Sequence, residues 1–225
     1  MVKFICFECN YTWEGKSAED NKCPKCNRDT GIRMYSDDEV IEKDFYREVM
    51  EAKVKNIINI SLNISTMLRN FSTRSKELIL PKLFNTINKM FEMERREDYV
   101  ELHDEFCKWA IKNIKPVKTQ TTSRISWGQA AKIIDVATKF VFYYSNIPDQ
   151  EYAKKVIKWF NSPIDRFMLQ TLKMNLTSLT NIDKEKYELC QKKIIELIED
   201  YYNNKLYPLE FDDLIWSYNK HRLLN

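Results

Sequence analysis

Two cysteine pairs stand near the start of the chain, C-F-E-C at residues 6–9 and C-P-K-C at residues 23–26. Thirteen residues separate the pairs, enough for a hairpin that brings all four thiols to one point. Four thiolates are the ligand set of a tetrahedral Zn²⁺ site, and an all-cysteine shell leaves no open position for a reacting molecule. The sequence therefore predicts one structural Zn²⁺, bound by Cys6, Cys9, Cys23 and Cys26.

The residues around the cysteines favour a small β-structure. An asparagine follows each pair, at Asn10 and Asn27, where a tight turn needs positive φ and asparagine serves next best after glycine. Pro24 restricts the backbone inside the second pair. The segments at residues 3–5 and 11–13 alternate in the manner of short strands.

Residues 1–33 resemble the zinc-ribbon family, in which a β-hairpin and a further strand surround four cysteines. The resemblance implies structural zinc, and the recurrence of zinc ribbons in transcription, replication and RNA processing implies a nucleic-acid or protein partner. Two alternatives remain for the cysteines. One is a rubredoxin-like iron site, whose spacer is longer; the other is disulfides, which the lack of a signal peptide before them disfavours.

A ribbon of this size has almost no core, so metal binding should supply most of its folding free energy. Its aromatic residues Phe7, Tyr11 and Trp13 have two possible roles. They either stack on nucleic-acid bases or dock the ribbon on the rest of the chain, and docking is the favoured interpretation.

Beyond the ribbon, the composition favours helices. Of 225 residues, 44% are hydrophobic, and the chain has only three glycines and six prolines. So few breakers indicate long helices with short connections, and the apolar spacing predicts about six to eight of them. The fold class is therefore mainly α, with a β zinc ribbon at residues 1–36 and an all-α domain at residues 37–225.

Capping signals place several helix starts. Ser126 and Gln129 form a capping box, and Asp149 and Asp183 begin later helices. Pro81 is expected in the first turn of a helix at residues 77–93. Ser162 is expected as an N-cap before Pro163 at the first helical position, with Asp165 in the capping-box slot.

The segment at residues 125–144 is predicted to be the central helix, because apolar residues occur on most of its sides. Its first half is similar to the first helix of a helix-turn-helix, with Asp135 at the turn. The residues that follow are too apolar to face a DNA groove, so a continuous core helix is favoured. Cys107 and Cys190 fall in helical patterns and are expected to be buried thiols.

The charge balance and motifs exclude several functions. The net charge is only +3, with the basic excess in residues 116–225. A net charge this small does not by itself indicate nucleic-acid binding. No apolar run is long enough for a membrane span, and P-loop, GxGxxG and HExxH motifs are absent. We expect a protein of the reducing cytoplasm with no membrane partner.

One weak catalytic pattern is present: six residues separate Arg96 from His103. This spacing resembles that of the all-helical HEPN ribonuclease family. The resemblance implies that the two side chains meet those of a second protomer, activate a ribose hydroxyl and stabilise the phosphate. The other interpretation, which we favour, makes His103 an ordinary helix residue.

Five cations near Trp159 and Phe160 are candidates for phosphate contacts. They are Lys154, Lys155, Lys158, Arg166 and Lys173. A solvated helix surface is the favoured alternative for them.

The leading hypothesis is a non-enzymatic, zinc-binding module for nucleic acid or a protein. A helical ribonuclease and a protein adaptor without nucleic-acid contact are the alternatives.

Overall fold

The computed structural model describes residues 2–6, 11–15, 22–27, 32–35, 38–64, 67–117, 123–176 and 178–224. Within these ranges the protein is mainly helical, as the composition predicts, with eight α-helices. The chain divides into two compact units, Met1–Ala52 and Lys53–Asn225, and the division falls inside the first helix. A domain boundary after residue 36 stays a prediction.

The N-terminal unit contains a three-stranded antiparallel sheet with the order β2-β1-β3. Its strands are β1 (Val2–Cys6), β2 (Thr12–Gly15) and β3 (Ile32–Tyr35). Phe4 stands opposite Trp13 on β2, and the Cys6 N–H donates to the Tyr11 carbonyl at 2.9 Å. Because strand side chains alternate between faces, Phe4 and Cys6 share a face, and both are buried.

The helices are α1 (Asp38–Ile64), α2 (Thr73–Met90), α3 (Arg96–Asn113), α4 (Trp127–Thr138), α5 (Gln150–Val156), α6 (Arg166–Thr171), α7 (Lys184–Tyr202) and α8 (Pro208–Leu224). α4 continues without a break into a π-helical segment, Lys139–Tyr144. Short 3₁₀ turns occur at Met67–Asn70, Ile157–Trp159 and Leu179–Asn181. No helix in the described ranges is both long and apolar enough to cross a membrane.

α4 is the central helix of the second unit, as its apolar run predicts. It packs against α2, α3 and α7, and most of its side chains are buried. The predicted capping box is present: the Gln129 N–H donates to Ser126 Oγ at 3.1 Å, and the Ser126 N–H donates to Gln129 Oε1 at 3.0 Å. The helix runs straight through Asp135, so this stretch has no turn of a helix-turn-helix.

Gly128 allows the first turn of α4 to approach the chain before α7. A Cβ atom added at this position would lie 2.7 Å from the Ile182 Cβ and 3.0 Å from the Leu179 carbonyl oxygen. The Gly128 N–H donates to the Ile182 carbonyl at 2.9 Å. The absent side chain therefore permits a direct backbone contact between these two segments.

The expectation for Pro81 is wrong, because α2 begins several residues earlier and Pro81 lies inside it. Ahead of α2, Phe71 forms a bridge with Pro116, and the Ser72 N–H donates to the Lys115 carbonyl at 3.1 Å. This pairing with a distant segment ends just before Thr73 and sets the helix start there. Pro81 is exposed, so the interior position does not bury its ring.

The expected N-cap at Ser162 is also wrong, because α6 begins at Arg166 with Asp165 as its cap. Asp165 Oδ1 accepts the Met168 N–H at 2.8 Å. The backbone of Ser162 is instead held by Gln191 of α7, which accepts its N–H at 3.0 Å and donates to its carbonyl at 2.8 Å. These two bonds hold Ser162 outside the helix.

Candidate functional site

Three of the four predicted metal ligands lie together in the N-terminal unit. The Sγ atoms of Cys6, Cys23 and Cys26 are all within 4.8 Å of one another, and Cys9 falls outside the described residues. The Cys6 and Cys26 sulfurs are 3.5 Å apart, far beyond the roughly 2.05 Å of a disulfide bond. Sulfurs held about 2.3 Å from one tetrahedral Zn²⁺ lie about 3.8 Å apart. The three cysteines are therefore close enough to bind one metal ion.

The backbone around the second cysteine pair has the form expected of a metal-binding turn. Asn27 has a φ of 56°, which confirms the expected positive φ at this position; Asn10 falls outside the described residues. The Asn27 N–H donates to the Cys23 carbonyl at 2.8 Å. The chain thus folds back directly after Cys26, which keeps the thiols of Cys23 and Cys26 on one side of the turn.

The burial of these thiols suits a structural site. Cys6 and Cys23 have no solvent exposure, and Cys26 is partly exposed. Soft thiolates suit zinc and iron alike, so the donor set indicates a metal without choosing between these two.

An aromatic stack lies on the same sheet. The Phe4 and Trp13 rings are 5.2 Å apart and nearly parallel, and the Tyr11 ring lies 6.5 Å from that of Trp13 at an interplanar angle of 16°. Phe4 is buried, whereas Tyr11 is 42% exposed. Lys25, from the second cysteine pair, places its Nζ 5.9 Å from the Tyr11 ring centroid. The stack therefore leads from the interior to an exposed ring beside a cation; Phe7, the third predicted aromatic, falls outside the described residues.

A buried polar cluster surrounds His103 in the second unit. His103 Nε2 lies 3.1 Å from Asp135 Oδ1, and the Tyr187 hydroxyl donates to Asp135 Oδ2 at 2.7 Å. The Tyr99 hydroxyl reaches Asp135 Oδ1 at 3.5 Å, and Cys107 Sγ is 3.8 Å from His103 Nδ1. All five residues are at most 3% exposed. Asp135, on α4, thus accepts hydrogen bonds from side chains on both α3 and α7.

The cluster keeps its histidine charged. Burial lowers the pKa of His103, but its contacts with Cys107 and Asp135 more than offset this and raise the pKa above its usual value. Burial also raises the pKa of the Cys107 thiol, so near neutral pH the charge facing the imidazole is that of Asp135. Burial raises the pKa of Asp135 itself, partly offset by His103 and Tyr187. The natural description is a buried imidazolium–carboxylate pair.

The structure places the two ribonuclease candidates in different surroundings. Arg96 is the exposed first residue of α3, whereas His103 is buried two turns later with its Nε2 against Asp135. No hydrogen bond or ion pair joins these two described side chains, and an assignment of Arg96 and His103 to catalysis stays a prediction. The sequence signal for the buried pair is Asp135, a lone carboxylate in the most apolar segment of the chain.

The five candidate phosphate-binding residues are all exposed. Lys154 and Lys155 end α5, Lys158 lies one turn further on, and Lys155 Nζ is 5.9 Å from the Trp159 ring centroid. Arg166 starts α6, and Lys173 follows its end with a φ of 49°. The lysines of residues 154–158 thus form one group, and a shared surface with Arg166 and Lys173 stays a prediction.

A second buried charge, Lys139, is absent from the sequence-based candidates. Its ammonium donates to Asp212 at 2.6 Å and to Asp213 at 2.5 Å, and its side chain is 6% exposed. Burial lowers the pKa of Lys139, but the two carboxylates more than offset this and raise the pKa above its usual value. The signal available in the sequence was a lysine inside an apolar run.

No known protein family, curated protein or solved structure matches the chain.

Proposed function

We propose that the N-terminal unit is a zinc ribbon whose single Zn²⁺ is held by Cys6, Cys9, Cys23 and Cys26. The observation that carries the proposal is the convergence of three Sγ atoms within 4.8 Å of one another. The turn at Asn27 and the burial of Cys6 and Cys23 support it. Cys9 enters as the fourth ligand because it lies three residues after Cys6, as Cys26 lies three residues after Cys23.

A zinc ion in this shell supplies a cross-link between the two cysteine pairs. The chain's own contribution is to place Cys6 at the end of β1 and to turn back at Asn27, so that thiols distant in sequence converge. The site is therefore structural and non-enzymatic. Its role is to hold the surface of a small unit in a fixed shape.

That surface fits a nucleic-acid-binding module. The exposed Tyr11 ring is stacked on Trp13 and lies beside Lys25, so one site offers both an aromatic face and a cation. Stacking of one base on an aromatic ring contributes about 1–3 kcal/mol, and lysine contributes salt-sensitive attraction to phosphate. Single strands, whose base faces are accessible, are the class that this pairing suits. The lysines of residues 154–158 supply a second place for phosphate contact.

The metal is tested by measuring zinc and iron in the purified full-length protein. We expect one zinc per chain, lost in Cys23→Ser and retained in Cys190→Ser, which alters a buried thiol outside the cysteine pairs. Iron in place of zinc, or zinc retained after Cys23→Ser, would contradict the proposed site.

Binding is tested with labelled single-stranded RNA and DNA and with a duplex at low salt. Single strands should bind with an affinity that falls as salt rises, and Tyr11→Ala should weaken binding by about tenfold. Tyr207→Ala is the matched control, because Tyr207 is 40% exposed against 42% for Tyr11. Absence of binding at low salt would reject nucleic acid and favour a protein partner, and cleavage of the RNA would reject a non-enzymatic module.

A further inference from the structure

A groove opens on the second unit between the end of α6, the C-terminal half of α7 and α8. Its volume is about 450 Å³. Leu172, Leu197, Phe211 and Ile215 contribute its apolar lining. Leu197 lies on α7, Phe211 and Ile215 lie on α8, and Leu172 directly follows α6. The groove therefore depends on how these three helices pack.

The apolar surface continues beyond the groove onto exposed side chains. Phe211, Leu214, Ile215 and Tyr218 follow the helical spacing of one stripe along α8. The stripe is buried at Phe211, at 3% exposure, but Leu214 is 41% exposed and Tyr218 67%. Tyr201, which also lines the groove, is 74% exposed. Large aromatic side chains exposed next to an apolar groove mark an interaction surface.

The exposed stripe is presented by a helix that is firmly held. Lys139 binds Asp212 and Asp213 near the start of α8, and the Tyr144 hydroxyl donates to Asp213. Phe167 of α6 packs edge-on against the Trp216 ring at 6.4 Å. Because these contacts order α8 in advance, little conformational entropy remains to be lost when its exposed face is covered.

The charges around the groove indicate what covers it. Among the described residues of the lining, two lysines, Lys173 and Lys193, balance two carboxylates, Glu196 and Asp200. A polyanion such as nucleic acid would meet both carboxylates. A second copy of the same surface, related by a two-fold axis, can place its lysines opposite these carboxylates and its own apolar stripe against the groove.

We propose that the groove between α6, α7 and α8 is an interface at which two copies of this chain form a two-fold symmetric dimer. Tyr218 and Leu214 of each copy supply the apolar contact. Lys193 of each copy faces Asp200 of the other, which places opposite charges across the interface. The proposal is independent of the zinc site and of nucleic-acid binding.

The first test is the mass of the full-length protein by sedimentation equilibrium up to about 100 μM, a range that also detects weak interfaces. We expect a monomer–dimer equilibrium, with a dissociation constant that Tyr218→Asp raises by at least about tenfold. Val100→Asp is the control, because Val100 is 47% exposed on α3, away from the groove lining. A protein that stays monomeric throughout this range overturns the proposal.

The second test uses two variants of opposite charge. Lys193→Glu leaves one lysine against three carboxylates in the lining, and Asp200→Lys leaves three lysines against one carboxylate. Each variant alone should be monomeric, whereas an equal mixture should dimerise, because each variant attracts the other and repels itself. The restored dimer also shows that both variants are folded. A dimer that survives in both variants and in Tyr218→Asp would place the interface elsewhere and overturn the proposal.

Discussion

At the residue scale, Asp135 organises the polar interior of the helical unit. It has no solvent exposure, and it accepts from His103, Tyr99 and Tyr187. A buried carboxylate is tolerated only when it is paired and its oxygens are hydrogen-bonded, and both conditions hold here. The aromatic ring of His103 also stacks on that of Tyr187 at 5.5 Å. Charge pairing therefore joins α3 to α4, and ring packing joins α3 to α7.

Asp135→Asn should destabilise the protein by about 3–5 kcal/mol near neutral pH, because it leaves the His103 imidazolium buried without its counter-charge. Since the pKa of His103 is raised above its usual value, the stability from its proton is fully present below about 6.5 and is lost as pH rises through the raised pKa. The difference between wild type and variant should therefore shrink at alkaline pH. Urea unfolding followed by circular dichroism, from slightly acidic to alkaline pH, measures it.

The control for this substitution is Glu105→Gln, which removes one carboxylate from an exposed position on α3. It should change the free energy of unfolding by less than about 0.5 kcal/mol at every pH. A pH-independent difference between wild type and Asp135→Asn would mean that His103 is neutral in the folded protein.

At the element scale, α8 is attached by charge to the segment that continues the central helix. Lys139 opens the π-helical segment that continues α4, and its ammonium lies between Asp212 and Asp213. A π-helical segment shifts the side chains that follow it relative to an α-helix, and such segments are frequent at functional sites in proteins. Here the segment also carries Tyr144, whose hydroxyl donates to Asp213.

Asp212→Asn should loosen α8 selectively, because Lys139 then keeps only the half-exposed Asp213 as an ionic partner. The expected loss is about 1–3 kcal/mol, the range for a hydrogen bond to a charged group. Hydrogen exchange should show faster exchange of amides in α8 and little change in α3. Asp213→Asn is the comparison: its effect should be smaller, because the Asp213 side chain is 34% exposed against 11% for Asp212. An equal effect of the two variants would contradict this ranking.

At the scale of the whole molecule, the two units differ in what holds them together. The second unit has a large buried core that includes Ile79, Leu83, Phe106, Ile134 and Phe142. The first unit has few buried side chains among its described residues, and three of its cysteines converge on one point. We therefore expect the first unit to depend on its metal and the second to be independent of it.

Removal of the proposed zinc from the full-length protein by a chelator should unfold the sheet and leave the helical unit folded. Hydrogen exchange should report lost protection in β1 and β2, with unchanged protection in α3 and α4, and added zinc should restore the protection. The far-ultraviolet helical signal should persist. Loss of both units together would show that they unfold as one, and unchanged exchange in β1 and β2 would show that metal does not stabilise the sheet.

Features that depend on neighbouring residues could be predicted from the sequence. The capping box at Ser126, the helix starts at Asp149 and Asp183 and the positive φ of Asn27 follow from local hydrogen bonds and backbone sterics. The spacing of apolar residues determined the mainly helical fold and the central position of α4. Both kinds of signal act within a few residues, so they can be read without knowing the packing.

Features that depend on residues far apart along the chain could not be predicted in this way, because they follow from how the helices pack. Gln191 holds Ser162 out of α6, and the Phe71–Pro116 bridge moves the start of α2 ahead of Pro81. His103 is buried because Asp135 from another helix supplies its counter-charge. These partners are brought together by helix packing, and a buried polar group adopts whichever conformation satisfies its hydrogen bonds, even where a local signal favours another.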